Sequence, residues 1–186
     1  MNIGVLALQG AFIEHRKKLD ALGVSSFEIR QLADVDKDMD GLILPGGEST
    51  VMGKLLRELN IFEPLKKRIE GGLPVMGTCA GLILLAEKVE GESGHLKTMP
   101  VTVARNAYGR QLGSFVTKSD FGDKKNVEMV FIRAPSIIKV GEGVTVLSQH
   151  EGVITAARYK HQLGITFHPE LTSDLMIHKY FVGMCK

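Results

Sequence analysis

Pro74-Val75-Met76-Gly77-Thr78-Cys79-Ala80-Gly81-Leu82 is the stretch whose reading decides the fold. A short apolar run stops at Gly77, a cysteine follows, and a second apolar run occupies residues 82–86. The pattern predicts a buried strand that turns sharply into a helix with Cys79 at the turn. Gly77, Ala80 and Gly81 keep the backbone slim enough for a tight bend and leave the sulfur approachable. This is the cysteine counterpart of the G-x-S-x-G nucleophile turn, placed where the N–H groups and dipole of a helix N-terminus favour negative charge. The competing reading is a buried structural thiol, because free cysteine is among the most buried residue types. The remainder of the chain has to decide between them.

Working outward, residues 3–8 form a near-continuous apolar run, as in a parallel strand covered on both faces. Gln9-Gly10 breaks it, and Phe12, His15, Leu19 and Leu22 follow at helical spacing until Gly23. Residues 26–32 read as a second strand, 34–40 as an acidic loop, and Gly41-Leu42-Ile43-Leu44 as a third strand ending in Pro45-Gly46-Gly47-Glu48-Ser49-Thr50. A helix carrying Val51, Leu55, Leu56 and Leu59 comes next, and another over residues 62–69 leads back to the Cys79 strand. This alternation predicts an α/β fold, a mostly parallel open sheet with flanking helices. Beyond Ala86 the pattern changes to short strand-like segments at 101–105, 113–117, 127–132, 144–149, 153–159 and 163–167, read as antiparallel additions in the C-terminal half. A helix over about 174–184 closes the chain. Without repeats, linkers or low-complexity segments, residues 1–186 read as one domain.

Bulk composition narrows the function classes. A net charge of +2 with scattered Lys and Arg gives no reason to expect nucleic acid, and no apolar stretch is long enough for a membrane helix. The first residues lack a basic leader and read as a strand. Two cysteines are too few for a disulfide framework, and the expected compartment is the cytoplasm.

A cysteine nucleophile needs a base, and the base an orienting group. Of the six histidines only His168 has a carboxylate placed to hold it, in Phe167-His168-Pro169-Glu170. Pro169 disfavours helix at His168, and residues two apart on an extended chain share a face, so His168 and Glu170 are expected side by side. His15, His95, His150, His161 and His178 read as surface or packing residues. In open α/β sheets, ligands bind beyond the carboxyl ends of the strands. Gln9-Gly10, the turn at 45–50 and the turn at 77–81 all lie at such ends and are expected to line one crevice. Gly47 can present a backbone N–H to a developing oxyanion, as can Ala80 after the nucleophile, with Gln9 and Gly10 as further candidates. Phosphate binding at 45–50 is disfavoured by Glu48 and by the missing Walker lysine.

With these residues in place, the chain resembles the class I (triad) glutamine amidotransferases, and most closely the glutaminase subunits of two-component pyridoxal 5′-phosphate synthases. Gly77-Thr78-Cys79-Ala80-Gly81 and His168-Pro169-Glu170 carry the broader likeness. Gly46-Gly47-Glu48-Ser49-Thr50, Arg105-Asn106-Ala107-Tyr108-Gly109-Arg110-Gln111 and Ile132-Arg133-Ala134-Pro135 carry the narrower one, so that it spans essentially the whole chain. Tyr108 stands where phenylalanine is common, a ring-preserving departure. The resemblance implies Cys79 as nucleophile, His168 as proton shuttle and Glu170 as orienter. It implies glutamine contacts at Gly46, Gly47, Glu48, Arg105, Ile132 and Arg133. It implies neither cofactor nor metal, and a partner synthase subunit in a heteromeric assembly that takes up the ammonia and on which activity depends. Outside this context Arg105 and Arg133 would read as surface residues. Two rival readings remain: a cysteine hydrolase of the intracellular-protease type, and a non-catalytic thiol-sensing subunit.

Overall fold

The computed structural model describes residues 1–105 and 113–186. The strands in chain order are β1 (Asn2–Leu6), β2 (Ser25–Ile29), β3 (Gly41–Leu44), β4 (Val75–Thr78), β5 (Ala86–Val89), β6 (Met99–Ala104), β7 (Ser114–Phe121), β8 (Lys124–Ile132), β9 (Ser136–Val140), β10 (Val144–His150), β11 (Val153–Tyr159) and β12 (Gln162–Ile165). The helices are α1 (Phe12–Ala21), α2 (Leu32–Val35), α3 (Ser49–Glu58), α4 (Phe62–Glu70), α5 (Ala80–Leu85) and α6 (Met176–Met184).

The four most completely buried strands come together, as expected of segments covered on both faces. β1, β3, β4 and β12 lie parallel in that spatial order with β2 outside β1. Beyond β12 the sheet continues through antiparallel β11 and β9 to β6, and β5 pairs β6 in parallel. The α/β class, the mostly parallel sheet and the antiparallel additions are therefore as read from the sequence. β7 and β8 form a separate two-stranded hairpin. One apolar cluster, including Leu44, Met52, Leu56, Leu65 and Leu82, covers one face of the sheet. The other, including Leu19, Phe131, Phe167, Ile177 and Phe181, is built from α1, α6 and the hairpin. Phe131 stacks on Phe115 at 4.6 Å and tilts against Phe167 at 5.7 Å between ring centroids, seating the hairpin on the chain just after β12.

Several expectations need correction. The strand read over 26–32 ends at Ile29, and the acidic loop begins as α2. There Asp34 accepts the backbone N–H groups of Arg30 and Gln31, so a carboxylate read as loop polarity is a helix cap. β5 and β9 were missed, since neither has a periodicity that separates it from its surroundings. In α3 the buried face is Ser49, Met52, Gly53 and Leu56, whereas Val51 and Leu59 face solvent. Of the motif at 105–111, residues 106–111 lie outside the described residues.

Two glycines explain how closely α5 sits on the sheet. A Cβ on Gly81 would come 2.0 Å from the carbonyl oxygen of Leu44, and one on Gly77 would come 2.6 Å from the backbone of Gly81. Any side chain at either position would push α5 off β3 and β4, and Cys79 with it.

Candidate active site

Cys79 sits at the junction of β4 and α5 with φ 50° and ψ −103°, a conformation rarely adopted by a residue with a side chain. Such backbone costs on the order of 1–3 kcal/mol and persists only where its surroundings impose it. Here the Cys79 N–H donates to Ile165 O at 2.8 Å, and Cys79 O accepts the Ile83 N–H at 3.2 Å. β12 and α5 thus grip the turn from both sides. The sharp strand-to-helix turn read from the sequence is present, and the thiol is largely buried.

His168 follows β12 in a non-helical conformation, as its position before Pro169 requires. Its N–H donates to Val130 O at 2.8 Å, which ties it to the hairpin. His168 Nδ1 donates to Glu170 Oε1 at 2.6 Å. The pair is side by side as expected, but for a different reason: residues Pro169–Leu171 form a single 3-10 turn that swings Glu170 back under the ring, where an extended chain was foreseen. Burial would lower the His168 pKa, but hydrogen bonds to Cys79 and Glu170 and the charges of both outweigh it and raise it to about 10. Burial would likewise raise Glu170, and the neighbouring His15 ring with the hydrogen bond and charge of His168 holds it below the ordinary carboxylate value. With Nδ1 engaged by the carboxylate, Nε2 is left for the sulfur.

The three predicted turns do line one crevice. Gly46 is wedged against the pair: a Cβ there would lie 2.4 Å from His168 Cε1 and 3.4 Å from Cys79 Cβ. The Gly46 carbonyl accepts the Ala11 N–H at 3.0 Å, and Gln9 Oε1 accepts the Glu48 N–H at 2.7 Å. Gly10, at φ 94°, has no room for a Cβ, which would meet Gly46 O at 1.9 Å. The Ala11 N–H thus sets the peptide plane between Gly46 and Gly47, the Gln9 side chain sets the next plane, and Gly10 lets the two turns approach. Ala80 opens α5, so its N–H is among the first-turn donors that have no intrahelical acceptor.

A cleft of about 180 Å³ opens beside the thiol, bordered by Gly47, Glu48, Ser49, Cys79, Arg105 and Arg133. Arg105 Nε donates to Glu92, while its Nη2 is buried without a hydrogen-bond partner among the described residues. Ser49 Oγ, also on the cleft wall, is in the same condition. Arg133 is held at φ 43° just past β8. Ile132, at the end of β8, is partly exposed and does not border the cleft. No group of three or more His, Cys, Asp or Glu among the described residues is disposed to hold a metal ion.

Sequence reasoning passed over two histidines. His15 is fully buried, with Nε2 3.1 Å from Thr78 Oγ1 and 3.5 Å from Glu170 Oε2, and Nδ1 2.9 Å from His178 Nε2. The signal was present: His15 falls on the apolar stripe of α1, where a polar ring needs partners. Burial, followed by the charges of His15 and Lys18, pushes the His178 pKa down to about 2, and burial also lowers His15. Unfolding lets both rings take up protons below about pH 6.5, so this pair stabilises the fold fully above that pH and progressively less as the pH falls. His168 acts oppositely, contributing fully below about pH 6.5 and losing its contribution as the pH rises through about 10. Urea titrations between pH 6.5 and 5, above the range of carboxylates, should show stability falling by up to ~1.4 kcal/mol per pH unit for each buried neutral histidine. His178→Asn should remove about half of that slope, and an unchanged slope would exclude the assignment.

A family model described as the SNO glutamine amidotransferase family matches residues 5–186. The chain belongs to this family. Among curated members, the pyridoxal 5′-phosphate synthase subunit PdxT of Desulfitobacterium hafniense (strain Y51) is 58% identical over 183 residues, covering 98% of this chain and 92% of that one. PdxT of Methanocorpusculum labreanum is 59% identical over 184 residues, covering 99% and 97%. A crystal structure of a glutamine amidotransferase superposes with a TM-score of 0.93 at 42% identity, covering 98% of each chain. In this SNO family member the strained cysteine, the His-Glu pair and the cleft between two arginines occupy one crevice at the carboxyl ends of β1, β3, β4 and β12.

Proposed function

We propose that this chain is the glutaminase of a pyridoxal 5′-phosphate synthase, hydrolysing L-glutamine to L-glutamate and ammonia. The observation that carries the reading is the 2.6 Å bond from His168 Nδ1 to a buried Glu170, with Cys79 on the other side of the ring and the cleft beyond. The Cys79 sulfur attacks the side-chain amide carbon. The Gly47 and Ala80 N–H groups, with the turn from Gln9 through Gly10 to Ala11 holding the first in place, receive the developing oxyanion. Each such donor is worth ~2.7–4 kcal/mol where measured. His168 passes its proton to the departing nitrogen, ammonia leaves, and a glutamyl thioester remains. His168 then takes a proton from water, hydroxide adds to the thioester, and glutamate and the thiol are released.

Substrate selection follows from the charges around the cleft. A free α-amino acid presents a carboxylate and an ammonium, which Arg105 and Arg133 on one hand and Glu48 on the other can receive. The buried, unpartnered Nη2 of Arg105 is a donor suited to that carboxylate. Gly46 and Ile132 act through the shape of the crevice and the position of Arg133.

Ammonia in neutral water is mostly ammonium and no longer nucleophilic, so its delivery needs a partner docked over the site. That partner is a synthase subunit that assembles pyridoxal 5′-phosphate from a pentose phosphate and a triose phosphate in the cytoplasm. Glutamate release should be slow for the isolated chain and rise at least tenfold when the synthase subunit is added. Equal rates with and without the partner would remove partner control. Peptide cleavage would point to the hydrolase reading, and silence toward every substrate to a sensor.

A further inference from the structure

Glu170 has two carboxylate oxygens, and the triad accounts for one. Oε1 receives the His168 Nδ1–H. Oε2 is equally buried and has no well-formed hydrogen bond among the described residues, yet His15 Nε2 stands 3.5 Å away. A buried carboxylate oxygen without a donor is costly, so the proton of neutral His15 belongs on Nε2, facing Glu170. Nδ1 is then an acceptor, and the 2.9 Å contact with His178 Nε2 requires that His178 donate. This leaves His178 Nδ1, which has no partner, as a bare lone pair. In the opposite choice the lone pair of His15 Nε2 would face the carboxylate, with the Thr78 hydroxyl 3.1 Å away as its donor, and an unpaired His178 N–H would be buried.

We infer that His15 is a positioning residue of the triad, whose Nε2–H holds the second oxygen of Glu170 while His178 fixes the tautomer of His15. The inference rests on the glutaminase reading for its kinetic consequence but not for its geometry. The groups facing His15 are Glu14 on α1, Thr78 at the end of β4, His168 and Glu170 on the triad turn, and His178 on α6, with Lys18 facing His178. Of these groups, His15 is the one with a nitrogen recorded beside Oε2, 3.5 Å away.

The test compares wild type, His15→Leu, His15→Gln and His178→Leu, the first two also in a Glu170→Ala background, each assembled with the synthase subunit. Losing a hydrogen bond to a buried charge should lower kcat for glutamate release by about 10- to 100-fold in His15→Leu, with KM within about twofold. His15→Gln, which still carries an N–H at the reach of Nε2, should recover most of the rate. In the Glu170→Ala background His15→Leu should cost no more than about twofold, because the oxygen it serves is gone. His178→Leu keeps the donor but frees the tautomer, and should fall between wild type and His15→Leu. It also carries the test if His15→Leu does not fold. A second readout is the pH profile of Cys79 alkylation by iodoacetamide, followed by mass spectrometry to separate it from Cys185. His15→Leu should shift the alkaline limb of that profile, and His15→Gln should restore it. Full activity in His15→Leu, no rescue by glutamine, or an equal loss with and without Glu170 would overturn the inference. A shifted alkylation profile in a chain that never hydrolyses glutamine would instead overturn the glutaminase reading and leave His15 in its place.

Discussion

Cys79→Ala is expected to eliminate glutamate release, by about 10⁶-fold if the nucleophile behaves as triad nucleophiles do elsewhere, while the assembled fold persists. The structure gives a way to separate chemistry from folding at this position. Alanine keeps a Cβ and therefore the strain of φ 50°, and the backbone bonds from Cys79 to Ile165 and Ile83 involve no side-chain atoms. Cys79→Ala should thus unfold within about 1 kcal/mol of wild type. Cys79→Gly should be equally inactive yet more stable than Cys79→Ala by ~1 kcal/mol, since glycine adopts this conformation without penalty. Chemical denaturation of the two variants checks the ordering. Residual turnover in Cys79→Ala above a thousandth of the wild-type rate would remove Cys79 from the role of nucleophile.

Glu170→Gln is the second large effect, and it preserves shape. The glutamine amide carries no charge to hold the protonated ring beside the sulfur, and an amide N–H turned to His168 Nδ1 leaves the neutral ring in the tautomer that cannot take up the thiol proton. The comparable exchange in a serine triad costs about 10⁴-fold in kcat. A loss of 10²- to 10⁴-fold is expected here, with KM little changed because Glu170 lies away from the cleft arginines. The His168 pKa should also fall from about 10, since the hydrogen bond and charge of Glu170 help to hold it up. NMR titration of the ring reads this directly. A variant within tenfold of wild type would mean that Glu170 does not orient the base.

Much of this site was legible in the sequence because its parts lie at strand ends and strand ends are punctuated. Gly46-Gly47, Cys79 and His168-Pro169-Glu170 each follow an apolar run and precede a break, so their convergence could be argued before any coordinates. What escaped the sequence was set by neighbours distant along the chain. His15 looked like one more residue of an amphipathic helix, and only the arrival of Thr78, Glu170 and His178 shows why a polar ring is on that stripe. Val51 and Leu59 were read only as apolar residues of the helix after β3, and which of its residues turn inward is set by Gly53 pressed against His95 and by Met52 and Leu56. The pairing of β12 between β4 and β11 has no local signature at all.

That insertion governs when the site can exist during synthesis. β4 carries the nucleophile and is complete by residue 78, but its neighbour β12 and the base at 168 are among the last parts of the chain to leave the ribosome. Until then the edge of β4 is unpaired, Cys79 lacks the Ile165 carbonyl that holds its turn, and no imidazole stands beside the sulfur. A polypeptide interrupted before residue 162 has every glycine of the crevice and none of its acid–base chemistry. Nascent and truncated chains are silent toward glutamine by construction, and the step that inserts β12 both closes the sheet and arms the thiol.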